Sequence, residues 1–394
     1  MKKTIPYGKQ ELTQNDIDAV VSVLKSEFWT QGPEIKKFED AFASYVESKY
    51  AVAVSNGTAA LHLCAIVLNI KPGDKVITSP ITFVASANCV KYCGGEIVFA
   101  DIDRETYLLD IKEVRKILEA DTKKEIKGII PVNFAGRVID MEAFRLLADE
   151  FDCWIIEDAC HSPGGSFLNS EGNKIMAGCG KYSELSIFSF HPVKHIAAGE
   201  GGMITTNNEQ LYKQILTLRT HGITKESEQF QNTIKFAGGE NEYPGWYMEM
   251  QDLGFNYRLT DIQAALGLSQ IKHAEKGLNK RNLIAKIYRE ALKGKDFIKR
   301  QSSINKGHAY HLYVIEVENR LDLYNYLKKN GILAQIHYIP CHLMPYYRLL
   351  GWKEGDMPNA ESYYKNCISL PMFPSLTEEE HKFVIDKIIS FYND

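Results

Sequence analysis

The chain lacks the features that mark membrane-spanning, secreted and nucleic-acid-binding proteins. No stretch of its 394 residues reaches the roughly 18 apolar residues that a transmembrane helix needs. Lys2 and Lys3 near the start have no apolar run behind them, unlike the basic residues of a signal peptide. The 46 basic and 50 acidic residues leave a net charge of −4, which provides no general attraction for nucleic acid or anionic lipid. We therefore expect a cytoplasmic protein with no nucleic-acid or membrane partner.

Paired metal-binding cysteines and common catalytic signatures are also missing. None of the eight cysteines forms a C-x-x-C pair, and Cys64 and Cys153 lie inside apolar segments, which is typical of reduced, buried thiols. The P-loop, the G-x-S-x-G elbow and the H-E-x-x-H helix are absent, and no G-x-G-x-x-G follows a predicted strand. The sequence thus predicts no metal site and disfavours a kinase, a Rossmann dehydrogenase, a serine hydrolase or a zincin.

The composition that is present is that of a globular protein, with 45% hydrophobic and 24% charged residues. From residue 50 to 205, short apolar runs alternate with helical patterns, which predicts an α/β fold with a mostly parallel sheet covered on both faces. Two long helical patterns follow at 260–275 and 279–292, and the remainder indicates a smaller α+β unit. We predict a large domain over 1–275 and a small C-terminal domain over 276–394.

Because such sheets bind ligands at the carboxyl ends of their strands, the loops that follow the strands are the first places to search for a site. The segment SNGTAA (55–60) joins a strand to a helix. Its small residues would let the backbone approach an anion, and the helix N-terminus supplies unpaired N–H groups. The alternative is a plain helix capped by Asn56 or Thr58.

Three other strand ends carry candidate chemistry. Asp158 follows an almost wholly apolar strand, so its carboxylate should need a partner, and His161 lies three residues on; a capping Asp is the alternative. Lys194 also follows an apolar strand, and a desolvated lysine can form a Schiff base, whereas an ordinary lysine would reach solvent. Phe83, at the head of a helix, could stack on a planar ring or simply fill the core.

Each signal alone is modest, but their order along one α/β domain is informative. An anion cradle, a stacking aromatic, a buried aspartate and a Schiff-base lysine are the parts of a pyridoxal phosphate site. These parts and several flanking segments resemble the sugar aminotransferases of the DegT/DnrJ/EryC1/StrS family, which have the fold type I, aspartate aminotransferase-like architecture. The resemblance covers nearly the whole chain and is carried by residues 12–15, 30–32, 55–62, 79–88, 157–161, 189–194, 199–202 and 254–261.

The resemblance implies a role for each matching residue. Catalysis would depend on Lys194, which would hold the cofactor aldehyde, on Asp158 at the pyridine nitrogen and on His161 near the ring. The cofactor would be bound by the backbone of Thr58 and Ala59, the Ser189 hydroxyl and a stacked Phe83. Asn256 would reach the phosphate of a neighbouring subunit's cofactor, which implies a homodimer.

The resemblance also indicates the substrates. Some relatives carry histidine in place of Lys194 and act as dehydratases, so lysine here indicates transamination, with L-glutamate as donor and a nucleotide-linked keto-sugar as acceptor. Segments 80–88, 266–271 and 331–338 are similar to enzymes that aminate C4 of a UDP-linked 4-keto-6-deoxy-N-acetyl-hexosamine.

His337 and Tyr338 could line the sugar pocket, although interdomain packing explains them equally well. The stretches 168–181 and 224–249 look longer than in compact relatives. They could border the sugar pocket and so favour a different sugar. The alternatives are therefore another keto-sugar, of the perosamine or 4-amino-arabinose type, or a non-catalytic regulator that binds pyridoxal phosphate.

Overall fold

The computed structural model describes residues 4–302 and 305–393, which form strands and helices joined by loops. Short 3₁₀ turns lie at Phe134–Gly136, Ser227–Gln229 and Cys341–Leu343. In chain order the elements up to residue 158 are β1 (Ile5–Pro6), α1 (Gln14–Leu24), α2 (Pro33–Val46), β2 (Tyr50–Val54), α3 (Gly57–Val67), β3 (Lys75–Thr78), α4 (Ala85–Tyr92), β4 (Glu96–Phe99), α5 (Ile111–Ala120), β5 (Ile126–Ile130), α6 (Met141–Glu150) and β6 (Trp154–Asp158).

The elements that follow include a hairpin, one very long helix and a second sheet. They are β7 (Ser166–Leu168), β8 (Lys174–Met176), β9 (Leu185–Ser189), β10 (Gly202–Thr206), α7 (Glu209–Arg219), β11 (Ile223–Thr224), β12 (Glu249–Met250), α8 (Asp261–Leu292), β13 (Ile298–Gln301), β14 (Tyr313–Val317), α9 (Arg320–Lys329), β15 (Ile332–Leu333), α10 (Pro345–Leu349), α11 (Pro358–Asn366), β16 (Cys367–Leu370) and α12 (Glu378–Asn393).

A seven-stranded sheet forms the centre of the molecule, in the order β2-β10-β9-β6-β5-β3-β4. Only β10 runs antiparallel to its neighbours among these strands, so the predicted mostly parallel α/β sheet is confirmed. Its strands read as continuous apolar runs because both faces are covered: Ile77, Ile129 and Ile187 are completely buried.

Local sequence set many of these boundaries. The apolar runs 50–54, 75–78 and 126–130 predict strands and the pattern 111–120 predicts a helix, and β2, β3, β5 and α5 have these bounds. Helix α5 starts at Ile111 because the Asp110 carboxylate accepts a hydrogen bond from the Lys112 amide at 2.8 Å, and α6 is capped by Asp140 in the same way.

The break predicted between helices at 260–275 and 279–292 is wrong, because α8 is one continuous helix of 32 residues. A Thr260 and Gln263 capping box starts it, and Gly277 stands in its interior at a cost of about 1 kcal/mol. Packing of α8 against α1 and α2 offsets that cost. The boundary predicted between 275 and 276 falls inside α8, so the division into domains stays a prediction.

The C-terminal part contains an antiparallel sheet, β13-β14-β16, with its own apolar core. The N-terminal strand β1 joins this part of the molecule by pairing in parallel with β15. None of the helices in the described residues is long and apolar enough to cross a bilayer. The carboxyl ends of β2, β3, β6 and β9 point the same way, which brings the loops that follow them to one edge of the central sheet.

Candidate active site

A cavity of about 730 Å³ opens at that edge. Such a volume is ordinary for a site that holds a cofactor and a small substrate. Loops after β2, β3, β6 and β9 supply one wall, and the segment after β15 supplies another. Every predicted site residue except Asn256 lines this cavity, namely Thr58, Ala59, Phe83, Asp158, His161, Ser189, Lys194, His337 and Tyr338.

Asn256 lies outside the cavity of its own chain. It is exposed and pairs with Thr220 in an isolated antiparallel bridge. The predicted contact of Asn256 with a partner's cofactor joins two chains, and this structure holds one, so the contact stays a prediction. The stretches 168–181 and 224–249 contribute nothing to the described lining of the cavity in the single chain.

The N-terminus of α3 forms the end of the cavity that suits an anion. Asn56 caps this helix, and its Oδ1 accepts the Ala59 amide at 2.8 Å. The Ala59 amide that was expected to hold a phosphate donates to Asn56 in this structure, so its role in phosphate binding stays a prediction. Among the described residues, the Gly57 and Thr58 amides have no protein acceptor and remain for an anion.

Gly57 shapes the same end of the cavity. A Cβ added at Gly57 would lie 3.1 Å from the Ser189 Cβ and 3.5 Å from its Oγ. The Ser189 hydroxyl therefore lies directly against the start of α3, where only a residue without a side chain leaves room. Because Ser189 ends β9 and Gly57 follows β2, the parallel sheet brings the two residues together.

Asp158 is buried at the end of β6, with 6% of its surface exposed. Its Oδ2 accepts the Ser86 hydroxyl at 2.6 Å, and its Oδ1 accepts the Cys160 amide at 3.1 Å. The Ser86 hydroxyl is in turn 2.9 Å from that of Thr82. These donors orient the carboxylate on the cavity wall.

Lys194 is half-buried in the cavity wall rather than extended into solvent. Burial lowers the pKa of its ammonium, and the Asp158 carboxylate opposes that shift. Burial also raises the pKa of the neighbouring Cys160 thiol well above its usual value, so this thiol is uncharged at neutral pH. Asp158 is therefore the negative charge that Lys194 experiences, and a larger share of the lysine is the free amine than in water.

His161 is buried between two other side chains of the site. Its Nδ1 accepts the Ala135 amide at 3.3 Å, and its Nε2 lies 3.3 Å from the Tyr338 hydroxyl. The His311 ring lies 4.3 Å away between centroids. Burial, with the nearby Lys194 charge, holds the pKa of His161 well below its usual range, so the imidazole is neutral.

The side chains of His337, Tyr338 and Phe83 form another part of the cavity wall. Only 6% of His337 is exposed, and its Nδ1 lies 2.9 Å from the Ser369 hydroxyl. Phe83 is 60% exposed, which excludes the core role, and its ring lies 6.4 Å from that of Tyr338. All three therefore face the cavity.

Sequence reasoning missed several other lining residues. Ser86 and Cys160 lie inside segments that were singled out, but the link between Ser86 and Asp158 spans 72 residues and leaves no local signal. Tyr257 follows Asn256 and holds His62 Nδ1 at 3.0 Å, while Tyr7 reaches the cavity from the N-terminal segment. The signal that could have been used is Ser86, a hydroxyl four residues after Thr82 in an otherwise apolar helix start, where it would need a polar partner.

The side chains present fit pyridoxal phosphate. Free amides beside a hydroxyl suit its phosphate, a buried carboxylate suits its pyridinium, and a half-buried amine suits its aldehyde. Thr58, Ser189, Asp158 and Lys194 would be the residues that hold it. The described residues contain no group of three or more His, Cys, Asp or Glu side chains placed to bind a metal ion.

Comparison with known proteins agrees with this chemistry. The chain is 35% identical over 393 residues to the spore coat polysaccharide biosynthesis protein SpsC of Bacillus subtilis, covering 98% of this chain and 96% of that one. It is 34% identical over 393 residues to the UDP-4-amino-4,6-dideoxy-N-acetyl-beta-L-altrosamine transaminase of Campylobacter jejuni, covering 98% and 97%.

Solved structures show the same architecture. The Helicobacter pylori aminotransferase PseC, involved in the biosynthesis of pseudoaminic acid, superimposes with a TM-score of 0.86 at 28% identity, covering 99% of this chain and all of that one. The sugar aminotransferase Spr1654 of Streptococcus pneumoniae, solved in PLP and PMP forms, gives 0.86 and 0.87 at 27% identity over at least 98% of each chain. The fold is therefore that of fold type I aminotransferases.

The family model of the DegT/DnrJ/EryC1/StrS aminotransferases matches residues 10–389. That match spans both the central sheet and the C-terminal sheet, so it takes in all the described lining residues of the cavity except Tyr7. The chain belongs to the DegT/DnrJ/EryC1/StrS aminotransferase family and is a pyridoxal phosphate-dependent sugar aminotransferase.

Proposed function

We propose that the chain transfers the amino group of L-glutamate to the C4 keto group of UDP-4-keto-6-deoxy-N-acetyl-L-altrosamine, as a step of pseudaminic acid biosynthesis. The observation that carries the chemistry is one cavity in which a half-buried Lys194 amine faces a buried Asp158 carboxylate. The support for the sugar is the identity to the Campylobacter transaminase, whose name gives the corresponding 4-amino sugar.

Bound pyridoxal phosphate supplies the carbonyl that takes up the amino group and a ring that accepts electron density. The Lys194 amine, with its lowered pKa, takes the α-proton of the donor and returns a proton to the acceptor carbon. Asp158, oriented by Ser86 and the Cys160 amide, holds a proton at the ring nitrogen. Gly57 and Thr58 bind the phosphate through their amides.

A second candidate is amination of another nucleotide-linked keto-sugar, such as a perosamine or 4-amino-arabinose precursor. The observation that favours it is the equal similarity to SpsC, whose name indicates spore coat polysaccharide. The side chains of His337 and Tyr338 form the wall that would contact the sugar, so they would decide between the two. Phe83 lies beside them and would stack on the cofactor ring.

We further propose that the enzyme is a homodimer with shared sites. Phe28 and Trp29 are 53% and 56% exposed, and Met248, Met250 and Leu253 are 51%, 66% and 80% exposed. Apolar side chains this exposed are typical of surfaces that a partner covers. Asn256 lies three residues from Leu253, so a partner that covers this segment would meet Asn256 as well.

The decisive experiment compares Lys194→Ala with Lys112→Ala, a lysine exposed on α5 outside the cavity. The purified chain is loaded with pyridoxal phosphate, its mass is measured by light scattering, and it is assayed with glutamate and a panel of UDP-linked 4-keto sugars. We expect the wild type and Lys112→Ala to form 2-oxoglutarate and the 4-amino altrosamine sugar, whereas Lys194→Ala forms neither.

Borohydride reduction followed by peptide mapping identifies the lysine that holds the cofactor, and we expect it to be Lys194. A fully active Lys194→Ala variant, or a label on another lysine, would contradict the assigned role. A wild type that prefers a different sugar would favour the second candidate and leave the chemistry intact.

A further inference from the structure

The hydroxyl of Tyr338 lies deep in the cavity with a single hydrogen-bond partner among the described residues. That partner is His161 Nε2, at 3.3 Å. The Tyr338 ring also contacts Phe134 and Phe83, with centroids 6.1 and 6.4 Å away, so aromatic packing fixes its position. Its hydroxyl is therefore held at the cavity wall beside His161.

The ring nitrogens of His161 determine which way the hydroxyl proton points. Nδ1 faces the Ala135 N–H, so Nδ1 must be the unprotonated acceptor. A neutral imidazole with a bare Nδ1 carries its only proton on Nε2, and that proton is donated to Tyr338 Oη. Because Oη accepts from His161, its own proton has no acceptor there and is directed to another group in the cavity.

The Ala135 amide is itself held firmly in place. Ala135 adopts a left-handed conformation with φ 59°, and its carbonyl accepts the Leu312 amide at 3.1 Å. Next to it, the Gly136 carbonyl accepts the Ala309 amide at 2.8 Å. The loop that orients His161 is thus pinned on both sides, and a backbone strained at such a position is typical of a functional site.

We propose that Tyr338 donates a hydrogen bond to the keto oxygen of the sugar, and that His161 is the positioning residue that directs this donor. The inference rests on the proposed function for its substrate, a keto-sugar. In the sugar half of the reaction a C–N bond forms and the C–O bond breaks. The oxygen leaves as water with the two protons of the amine, so charge develops on that oxygen and a fixed donor stabilises it.

Tyr338 takes part without losing its proton, because burial holds the pKa of its hydroxyl far above neutrality. In the glutamate half the same step runs in reverse, because water adds and 2-oxoglutarate leaves with a keto oxygen. A donor to that oxygen should therefore matter in both halves, whereas a contact with the cofactor would change how tightly the chain binds pyridoxal phosphate.

The test measures the two half-reactions separately, by the absorbance of the bound cofactor after mixing with glutamate or with the keto-sugar. We expect Tyr338→Phe to slow the sugar half by about tenfold and the release of 2-oxoglutarate by a comparable factor, while its affinity for pyridoxal phosphate, measured by absorbance titration, changes by less than about twofold. The control is Tyr346→Phe, an exposed tyrosine of α10 outside the cavity, which should change neither. An unchanged sugar half, or a comparable loss of affinity for pyridoxal phosphate, overturns the proposal.

Two variants of His161 test its positioning role. In His161→Gln the amide oxygen can accept the Ala135 N–H and the amide nitrogen can donate to Tyr338, so most of the sugar half should be retained. His161→Leu can do neither and should resemble Tyr338→Phe, and the double variant should be no slower than either single one. Additive losses, or a glutamine variant as slow as the leucine variant, contradict the arrangement.

A third readout does not depend on activity. Nitrogen NMR of the protein labelled in histidine should show His161 protonated at Nε2 and bare at Nδ1. The opposite tautomer refutes this inference alone, whatever the substrate. A wild type that aminates none of the keto-sugars refutes the proposed function together with the acceptor assigned to Tyr338, so the two failures are distinguishable.

Discussion

Replacing Ser86 by alanine tests how strongly the site depends on the donor to Asp158. The substitution removes one hydroxyl oxygen from a position with 1% exposure and deprives a carboxylate with 6% exposure of its 2.6 Å hydrogen bond. Hydrogen bonds to charged groups contribute about 1.5–3 kcal/mol. Because Asp158 keeps the Cys160 amide, we expect the free energy of unfolding of the cofactor-free chain to fall by about 2 kcal/mol.

The loss should be smaller when pyridoxal phosphate is bound, because the protonated ring nitrogen would become a new donor to the same carboxylate. Denaturant unfolding of the variant and the wild type, each with and without the cofactor, measures both differences. The control is Ser390→Ala, exposed on α12, which should change the free energy of unfolding by less than about 0.5 kcal/mol. A cofactor-free Ser86→Ala chain as stable as this control would refute the reasoning.

Two further substitutions have expected outcomes that the same denaturant measurements check. A Cβ at Gly136 (φ +96°) would lie 2.8 Å from the His161 carbonyl oxygen, whereas a Cβ at Gly73 (φ +93°) would have nothing within 4 Å. We expect Gly136→Ala to lower the free energy of unfolding by about 3 kcal/mol or more and Gly73→Ala by about 1 kcal/mol. Equal losses would contradict the steric argument. Burial lowers the pKa of His308 to about 3 in the folded chain. Between about pH 3 and 6.5 the unfolded chain therefore binds more protons than the folded chain, so the free energy of unfolding falls as the pH drops through 6.5. This residue alone should remove about 2 kcal/mol at pH 5, and His308→Gln should flatten that part of the pH dependence; an unchanged slope would exclude His308 as its source.

The sequence predicted the central sheet because the information there is local. An apolar run such as β5 follows the polar stretch 121–125 and ends before Pro131. A cap such as Asp110 starts a helix whatever lies elsewhere in the chain. The position of Lys194, Asp158 and Ser189 at one edge also followed from the sequence, since parallel strands align their carboxyl ends. The predicted helix break near Gly277 is absent for the converse reason, because packing of α8 against α1 and α2 outweighs the low helix propensity of glycine.

The amino-acid sequence by itself determined the elements, the edge of the sheet at which the site forms and the residue types that a pyridoxal phosphate site requires. Only the tertiary structure decided which groups remain free to act. Asn56 engages the Ala59 amide, Ser86 reaches Asp158 across 72 residues, and Tyr338 meets His161 across 177. Hydrogen bonding is directional and exclusive, so the availability of a donor depends on neighbours that are distant in sequence.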